Sequence, residues 1–416
     1  MINILLYGSG AREHAIARAI KKSSHQSNLY CVATNQNPGI AKLCKEYFRE
    51  SIDAKKYNID FAIIGPETAL AAGVVDDLSA QNIPAIGPSK KLAQIETSKG
   101  FARNLLTKYK IPACPQYKVF KELSGVEEFL HELNDNYVIK ADGLKGGKGV
   151  KISGEHLLNL NEALDYCKQL IAENSSFVIE EKLIGQEFSL LSFSDGKNLL
   201  HMPLVRDYKR AFENNTGPNT GGMGSYSLEN HLLPFLGEKE LIQAQEFNLA
   251  TINALYQEFS EPYKGILYGG FITTDHGVKL IEYNARFGDP EAINILALMQ
   301  NDFIEICLAI IEDTLNKIKP QFMHQATVCK YLVPNGYPDN PLENQELDVS
   351  QIAGAEHLYY AAVNEKNGKL YTTRSRALAV LGLADTVTEA EKIAENMANK
   401  IQGEVFHRRD IGVNLT

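Results

Sequence analysis

The first hundred residues alternate short apolar runs with amphipathic stretches. INILLYG (2–8), LYCVAT (29–34), FAIIG (61–65) and PAIG (84–87) read as buried strands, and AREHAIARAIKKS (11–23) repeats its apolar positions at helical spacing. Strands alternating with helices predict a parallel, doubly wound sheet. A helix is predicted over 92–110, stopped by Ile111-Pro112. From about 118 to 192 the pattern becomes strand, loop, strand, helix, strand, strand. NYVIKAD (136–142) and GVKIS (149–153) flank the loop like hairpin arms, a helix spans 160–172, and SFVIEEKL (176–183) and EFSLLSFSDGK (187–197) follow. This predicts a small α+β unit inserted between larger ones. A helix over 239–258, strands ILYGGFITT (266–274) and VKLIEYN (278–284), and a helix over 291–315 complete a core. The last hundred residues contribute strands ATVCKYLV (326–333), HLYYAAV (357–363) and RALAVLGL (376–383), then a helix over 390–401.

Length and composition narrow the class. At 416 residues the chain needs more than one core, and 44% hydrophobic with 22% charged residues is the balance of a globular protein. A net charge of −9 argues against nucleic-acid binding, which needs a basic face. Six cysteines without a C-x-x-C pair suit a reducing cytoplasm, and no apolar run approaches the roughly 18 residues of a membrane span, so no membrane partner is expected.

Two glycine-rich stretches carry the candidate chemistry. KADGLKGGKGV (140–150) places Lys140, Lys145 and Lys148 on a hairpin loop, yet it does not fit the P-loop spacing, and no Ser or Thr follows its Gly-Lys pair. TGPNTGGMGSYS (216–227) is the second. VKLIEYNARFGDPE (278–291) supplies acidity: on a strand, Glu282, Asn284 and Arg286 share one face. Glu282 and Asn284 are hard oxygen donors suited to Mg²⁺ beside nucleotide phosphates, with Arg286 placed to stabilise a transferred phosphoryl group. Alone, the same residues fit a structural Glu282–Arg286 ion pair. Together with a lysine-bearing loop, they predict ATP held between a lid and a metal-bearing sheet.

Over nearly its whole length the chain resembles the glycinamide ribonucleotide synthetases (phosphoribosylamine–glycine ligases) among the ATP-grasp enzymes. The resemblance rests on GSGAREHA (8–15), IIGPE (63–67), IPAIGPSKKLAQIETSK (83–99), KADGLKGGKGV, GPNTGGMGSYS (217–227), EYNARFGDPE (282–291) and RRDIG (408–412). Ala11, Lys145-Gly146, Tyr208 and Tyr283 depart from the commoner family residues. The resemblance implies an α/β and α+β fold: an N-terminal parallel α/β (pre-ATP-grasp) domain over 1–99 that binds phosphoribosylamine, an ATP-grasp core over 100–318 with a lid at about 118–192, and a C-terminal β-rich α+β domain over 319–416. It also implies a cytoplasmic monomer or weak dimer that joins glycine to 5-phosphoribosylamine through glycyl phosphate, using ATP and Mg²⁺ or Mn²⁺.

By the same resemblance, Lys99, Lys140 and Lys209 contact nucleotide phosphates beneath a loop of Gly146, Gly147, Lys148 and Gly149. Glu180, Glu181 and Leu183 form the adenine hinge, and Glu187 takes the ribose hydroxyls. Glu282 and Asn284 hold the metal, and Arg286 lies near the acyl phosphate. Asp207, Asn219 and Thr220 line the glycine and amine side. Gly10, Arg12, Glu13, Gly65, Pro66 and Glu67 surround the phosphoribosylamine, the first three at a helix N-terminus that favours anions. His14 reads as a packed helix residue. A nicotinamide-dependent oxidoreductase is disfavoured, because the N-terminal turn lacks the third glycine of G-x-G-x-x-G and no acidic ribose ligand follows. A nucleotide-sensing module without turnover would leave Arg286 and the second-substrate pocket unexplained.

Overall fold

The computed structural model describes residues 1–146 and 149–415. The N-terminal sheet is parallel throughout, in the order Glu46–Phe48, Ser27–Val32, Ile2–Tyr7, Phe61–Ile64, Ala85–Ile86. Four of these strands are the predicted apolar runs. Glu46–Phe48 escaped prediction because it is a three-residue edge strand without a buried residue.

Two predicted helices are broken. Ser98 takes an extended conformation between Gln94–Thr97 and Lys99–Lys108, and its hydroxyl accepts from the Phe101 amide at 3.1 Å. The break gives the second segment its own capped N-terminus. The 291–315 stretch divides into Glu291–Leu298 and Phe303–Ile311, where Asp302 caps the Ile304 amide at 2.9 Å. Both halves are apolar, so periodicity alone hides the joint.

The small unit has an antiparallel sheet ordered Tyr117–Phe120, Phe177–Glu181, Tyr137–Ala141, Val150–Ile152. Its core is separate from the main one: Phe120 and Phe177 of the sheet pack with Phe129 of the helix Val126–Glu132, beside the helix Leu160–Ala172. This sheet stops at Glu181. The next strand, Gln186–Asp195, pairs along all ten residues with Lys264–Thr274 in another sheet, ordered Leu199–His201, Gln186–Asp195, Lys264–Thr274, Gly277–Asn284.

The C-terminal sheet is composite. Ala326–Pro334 is flanked by Leu378–Ala384 on one side and by Gly224–Ser227, then Arg206–Asp207, on the other. Segments from the middle of the chain are thus hung on C-terminal strands. No helix is long and apolar enough to cross a membrane among the described residues.

Candidate active site

A cleft of about 730 Å³ lies between the small sheet and the Gly277–Asn284 strand, and residues of the N-terminal and C-terminal parts close its ends. A β-bulge shapes its floor: Gly270 pairs with Glu282 and Phe271 with Leu280, which leaves Ile281 as the extra residue. Bulges re-aim side chains and release backbone groups. The Ile281 carbonyl accepts from Arg103 Nη2 at 2.8 Å and from Lys140 Nζ at 3.2 Å. The Tyr283 hydroxyl is 2.9 Å from Thr251 Oγ1, so this departure from the family residue is satisfied in the core.

The competing Glu282–Arg286 ion pair does not form. Arg286 instead pairs with Glu96 at 3.0 Å and Glu67 at 3.2 Å, and donates to Asn284 Oδ1 at 3.2 Å. Burial acts to raise the Glu282 carboxyl, but Lys209, Lys140, Lys99 and Arg286 outweigh it and hold the group below the usual carboxylate range. It remains an ionised oxygen donor facing the cleft, two residues from an amide oxygen. Among the described residues no three His, Cys, Asp or Glu side chains gather into a metal cage. Two donors fit a divalent cation that completes its shell with ligand phosphates and water.

The expectation for Glu180 needs correction. It is only 3% exposed, and its carboxylate contacts Lys140 and sits 2.8 Å from Arg103 Nε. Burial opposes this charge, yet Arg103 and Lys140 keep the carboxyl low. Held between two cations, the side chain cannot serve an adenine edge; it anchors Lys140 in the cleft wall. Glu181 and Leu183 both line the cleft, and the Glu181 carboxylate accepts from the Gln116 amide at 2.8 Å.

Lys99 begins a helix whose N-terminus is filled by Asp142, a residue the sequence reading passed over. The Asp142 carboxylate accepts from the Lys99 amide at 2.6 Å and from Ser98 Oγ at 3.1 Å, and Lys99 Nζ donates to the Gly143 carbonyl at 2.9 Å. An anion at a helix start is favourable, and here it ties the loop base to the body. The signal was Ser98 as a cap. Gly146 and Gly149 line the cleft, and the expectations for Gly147 and Lys148 fall outside the described residues. Lys145 Nζ pairs at the surface with Glu173 at 3.2 Å.

On the opposite wall Lys209 Nζ lies 3.7 Å from Glu187 and 3.8 Å from Asp207. Burial lifts the Asp207 carboxyl to about 7; Lys209 opposes this, while Glu291, Glu187 and Glu282 add to it. Asn219 and Thr220 also line the cleft, with Thr220 Oγ1 donating to the Lys209 carbonyl at 2.8 Å.

At the N-terminal end, Arg12 and Glu67 reach the cleft, whereas Gly10, Glu13, Gly65 and Pro66 do not line it. Glu13 is 2% exposed; it accepts from the Gly10 amide at 2.6 Å and from Arg12 Nε at 2.6 Å. A Cβ on Gly65 would stand 2.1 Å from this carboxylate. The helix start expected to hold a phosphate therefore holds Glu13, and Gly10 and Gly65 make room for it. Burial, with Arg18 and Lys42 nearby, depresses His14 to about 3, and its Nδ1 accepts from the Tyr360 amide at 3.0 Å. It is a neutral packing residue.

Sequence reading missed Glu96, Arg103, Asp142, Asp289, Glu291 and Arg376. Asp142 lies within KADGLKGGKGV, Glu96 within IPAIGPSKKLAQIETSK, and Asp289 and Glu291 within EYNARFGDPE; Arg103 and Arg376 lie outside the motifs that carry the resemblance.

Three family models cover the chain: the phosphoribosylglycinamide synthetase N domain matches residues 2–96, its ATP-grasp (A) domain 97–292 and its C domain 327–414. A phosphoribosylamine–glycine ligase of Methanosarcina barkeri is 48% identical over 419 residues, covering 99% of this chain and 96% of that protein. The enzyme so named from Methanocaldococcus jannaschii is 49% identical over 430 residues, with the same coverages. Among solved structures, the phosphoribosylamine–glycine ligase of Thermotoga maritima superposes with a TM-score of 0.82 at 30% identity, covering 98% of this chain and 100% of that one. A biotin carboxylase of Campylobacter jejuni reaches 0.72 at 13% identity, covering 99% and 94%, which shows the shared fold alone.

Proposed function

The chain belongs to the phosphoribosylglycinamide synthetase family, and on that premise we propose that its cleft joins glycine to 5-phospho-D-ribosylamine, with ATP converted to ADP and phosphate. It is an ATP-dependent carbon–nitrogen ligase of purine biosynthesis. The observation that carries the site assignment is the bulged strand, which turns an ionised Glu282 toward Lys140 and Lys209 across one cleft.

A carboxylate is a poor electrophile at neutral pH, so the reaction needs two steps. A carboxylate oxygen of glycine attacks the γ-phosphorus, the bond to the β–γ bridging oxygen breaks, and ADP leaves. The substrate amine then attacks the acyl carbon, loses a proton and expels phosphate. The protein's part is positioning and charge compensation in a site that excludes water.

Lys99, Lys140 and Lys209 bind the nucleotide phosphates, and the lid loop covers them from Gly146 and Gly149. Glu181 and Leu183 lie at the base edge, and Glu187 takes the ribose. Glu282 and Asn284 would hold the divalent cation, Mg²⁺ or Mn²⁺, which supplies neutralisation of phosphate charge. Arg286, held by Glu67 and Glu96, meets the acyl phosphate. Asp207, lifted toward neutral pH, receives the amine proton, as suits a general base. Asn219 and Thr220 flank it, and Arg12 and Glu67 face the phosphoribosylamine. Residues 1–99, 100–318 and 319–416 are the corresponding units, acting in the cytoplasm as a monomer or weak dimer.

The test is ADP release from ATP and Mg²⁺ with glycine and freshly generated phosphoribosylamine, added singly and together. Release that needs both, with glycinamide ribonucleotide formed one for one, is expected. Release with bicarbonate in place of glycine would overturn the substrate assignment.

A further inference from the structure

Two motifs have no assigned part in the reaction: the glycine pair Gly221-Gly222 and the terminal Arg-Arg-Asp-Ile-Gly. We propose that both are seats for arginines of the C-terminal unit, and that Arg376 and Arg408 are positioning residues that set the cleft wall bearing Asp207 and Lys209. This rests on the ligase reading and extends it to a part of the chain that supplies none of the reacting groups.

Arg376, two residues before the Leu378–Ala384 strand, enters the cleft wall. Its Nη1 donates to the carbonyls of Gly221 at 2.8 Å, Gly222 at 2.9 Å and Asp289 at 3.0 Å, and its Nη2 is 3.2 Å from the Asp289 carboxylate. The guanidinium also lies 4.2 Å from the Tyr331 ring centre, and the Tyr331 hydroxyl donates to Asp289. A Cβ on Gly221 would stand 3.3 Å from the guanidinium carbon, and one on Gly222 would stand 3.3 Å from Nη1. The glycines are absent side chains that let a planar cation lie against backbone carbonyls; they cradle an arginine, not a phosphate. Lysine carries three donors on one nitrogen but no planar fork, so it cannot reach the three carbonyls and the Asp289 carboxylate together.

Arg408 grips the other end of the segment. It is 1% exposed, with Nη1 donating to the Arg210 carbonyl at 3.1 Å and to Asn215 Oδ1 at 3.0 Å. Asp410 holds it through Nε at 2.8 Å and Nη2 at 2.6 Å, and also receives the Asn214 amide at 3.0 Å. Between the grips, the Thr220 amide donates to the Lys209 carbonyl at 2.7 Å and the Met223 amide to the Tyr208 carbonyl at 2.7 Å. Asp207 and Lys209 therefore sit on a folded-back segment fastened at Arg210–Asn215 and at Gly221-Gly222, both times by C-terminal arginines.

The experiment compares wild-type protein with Arg376→Gln, Arg376→Lys and Arg408→Lys, measuring kcat, KM for each substrate, ATP affinity by equilibrium binding, and thermal midpoint. Displacing a reacting group by about 1 Å costs on the order of a hundredfold, so both Arg376 variants are expected to lose between about tenfold and a hundredfold in kcat. ATP affinity should fall by no more than roughly threefold, because of the nucleotide contacts only Lys209 lies on this segment, while Lys99, Lys140 and Glu282 stand on other elements. Arg408→Lys should show the same split to a smaller extent. A folded Arg376→Gln protein with kcat within about twofold of wild type overturns the proposal, as does an equal loss of ATP affinity and kcat. If Arg376→Gln does not fold, Gly221→Ala replaces it, since the added methyl displaces the guanidinium from outside; unchanged kcat there is equally fatal. Absence of ligase turnover in the wild-type protein would instead sink the ligase reading and is read separately.

Discussion

Two glycine-rich stretches face the same cleft, and they are glycine-rich for opposite reasons. In the lid loop, Gly143 and Gly146 have φ of +89° and +56°, and a Cβ on either would meet nothing within 4 Å. Their use is conformational, a chain path that other residues adopt at a cost. In the second stretch a Cβ on Gly224 would lie 2.2 Å from the Cys329 carbonyl, and one on Gly222 would lie 2.8 Å from Pro290 Cδ. Gly222 and Gly224 also have positive φ, +113° and +155°, but there glycine is above all a spacing device, admitting a neighbouring strand and an arginine. Composition reports both stretches as loops; only the surroundings separate a glycine kept for its backbone path from one kept for the space beside it.

The sharpest probe is the group both stretches face. Glu282→Gln keeps size and removes charge, so turnover should fall by at least about a hundredfold while the protein stays folded. Normal turnover by a folded variant ends the metal assignment. Next in size is Lys140→Met at the base of the lid loop. It leaves Glu180 and Arg103 buried beside a lost partner, a class of change that costs about 3–5 kcal/mol. Urea denaturation reads this, and a loss below ~1 kcal/mol would mean the triad is loosely held.

Gly224→Ala tests the packed stretch. Forcing a methyl into occupied space should cost about 1–3 kcal/mol and lower activity in proportion to folded protein. Gly143→Ala tests the open one. It should cost no more than about 1 kcal/mol globally, because the strain is local, while KM for ATP rises. If the two variants lose equal stability, the distinction between the stretches fails.

Asp207 gives a smaller, pH-dependent signature. Its folded pKa of about 7 lies above the ordinary 3.8. The folded state therefore holds the proton more tightly, and this group's contribution is fully present below pH 4 and lost as pH rises through 7. The slope is at most about 1.4 kcal/mol per pH unit. Asp207→Asn should flatten the fall in urea midpoint between pH 4 and 7; an unchanged slope would show that Asp207 titrates normally.

The readable parts of the site were those written in local pattern. The hairpin arms around the lid loop, the strand carrying Glu282 and Asn284, and the helix Leu160–Ala172 follow from periodicity. The unreadable parts involve partners far apart in the chain. Glu180 looked like part of an adenine hinge because nothing local shows that Arg103 and Lys140 close over it. Glu13 looked like a ligand contact because its neighbours Gly8 and Gly10 resemble a phosphate turn, yet the carboxylate itself fills that turn.

By itself the sequence determined the alternation of strands and helices, the acidic strand and the lysine-bearing loop, because hydrophobic period and turn chemistry act within a few residues. The tertiary structure alone decided which charges neutralise one another. It paired Arg286 with Glu67 and Glu96 rather than Glu282, placed Asp142 on the Lys99 helix, and brought Arg376 across to Gly221. Ion pairs and close backbone approaches depend on distance in space, and a buried charge takes whichever partner the packing of separate sheets leaves within reach.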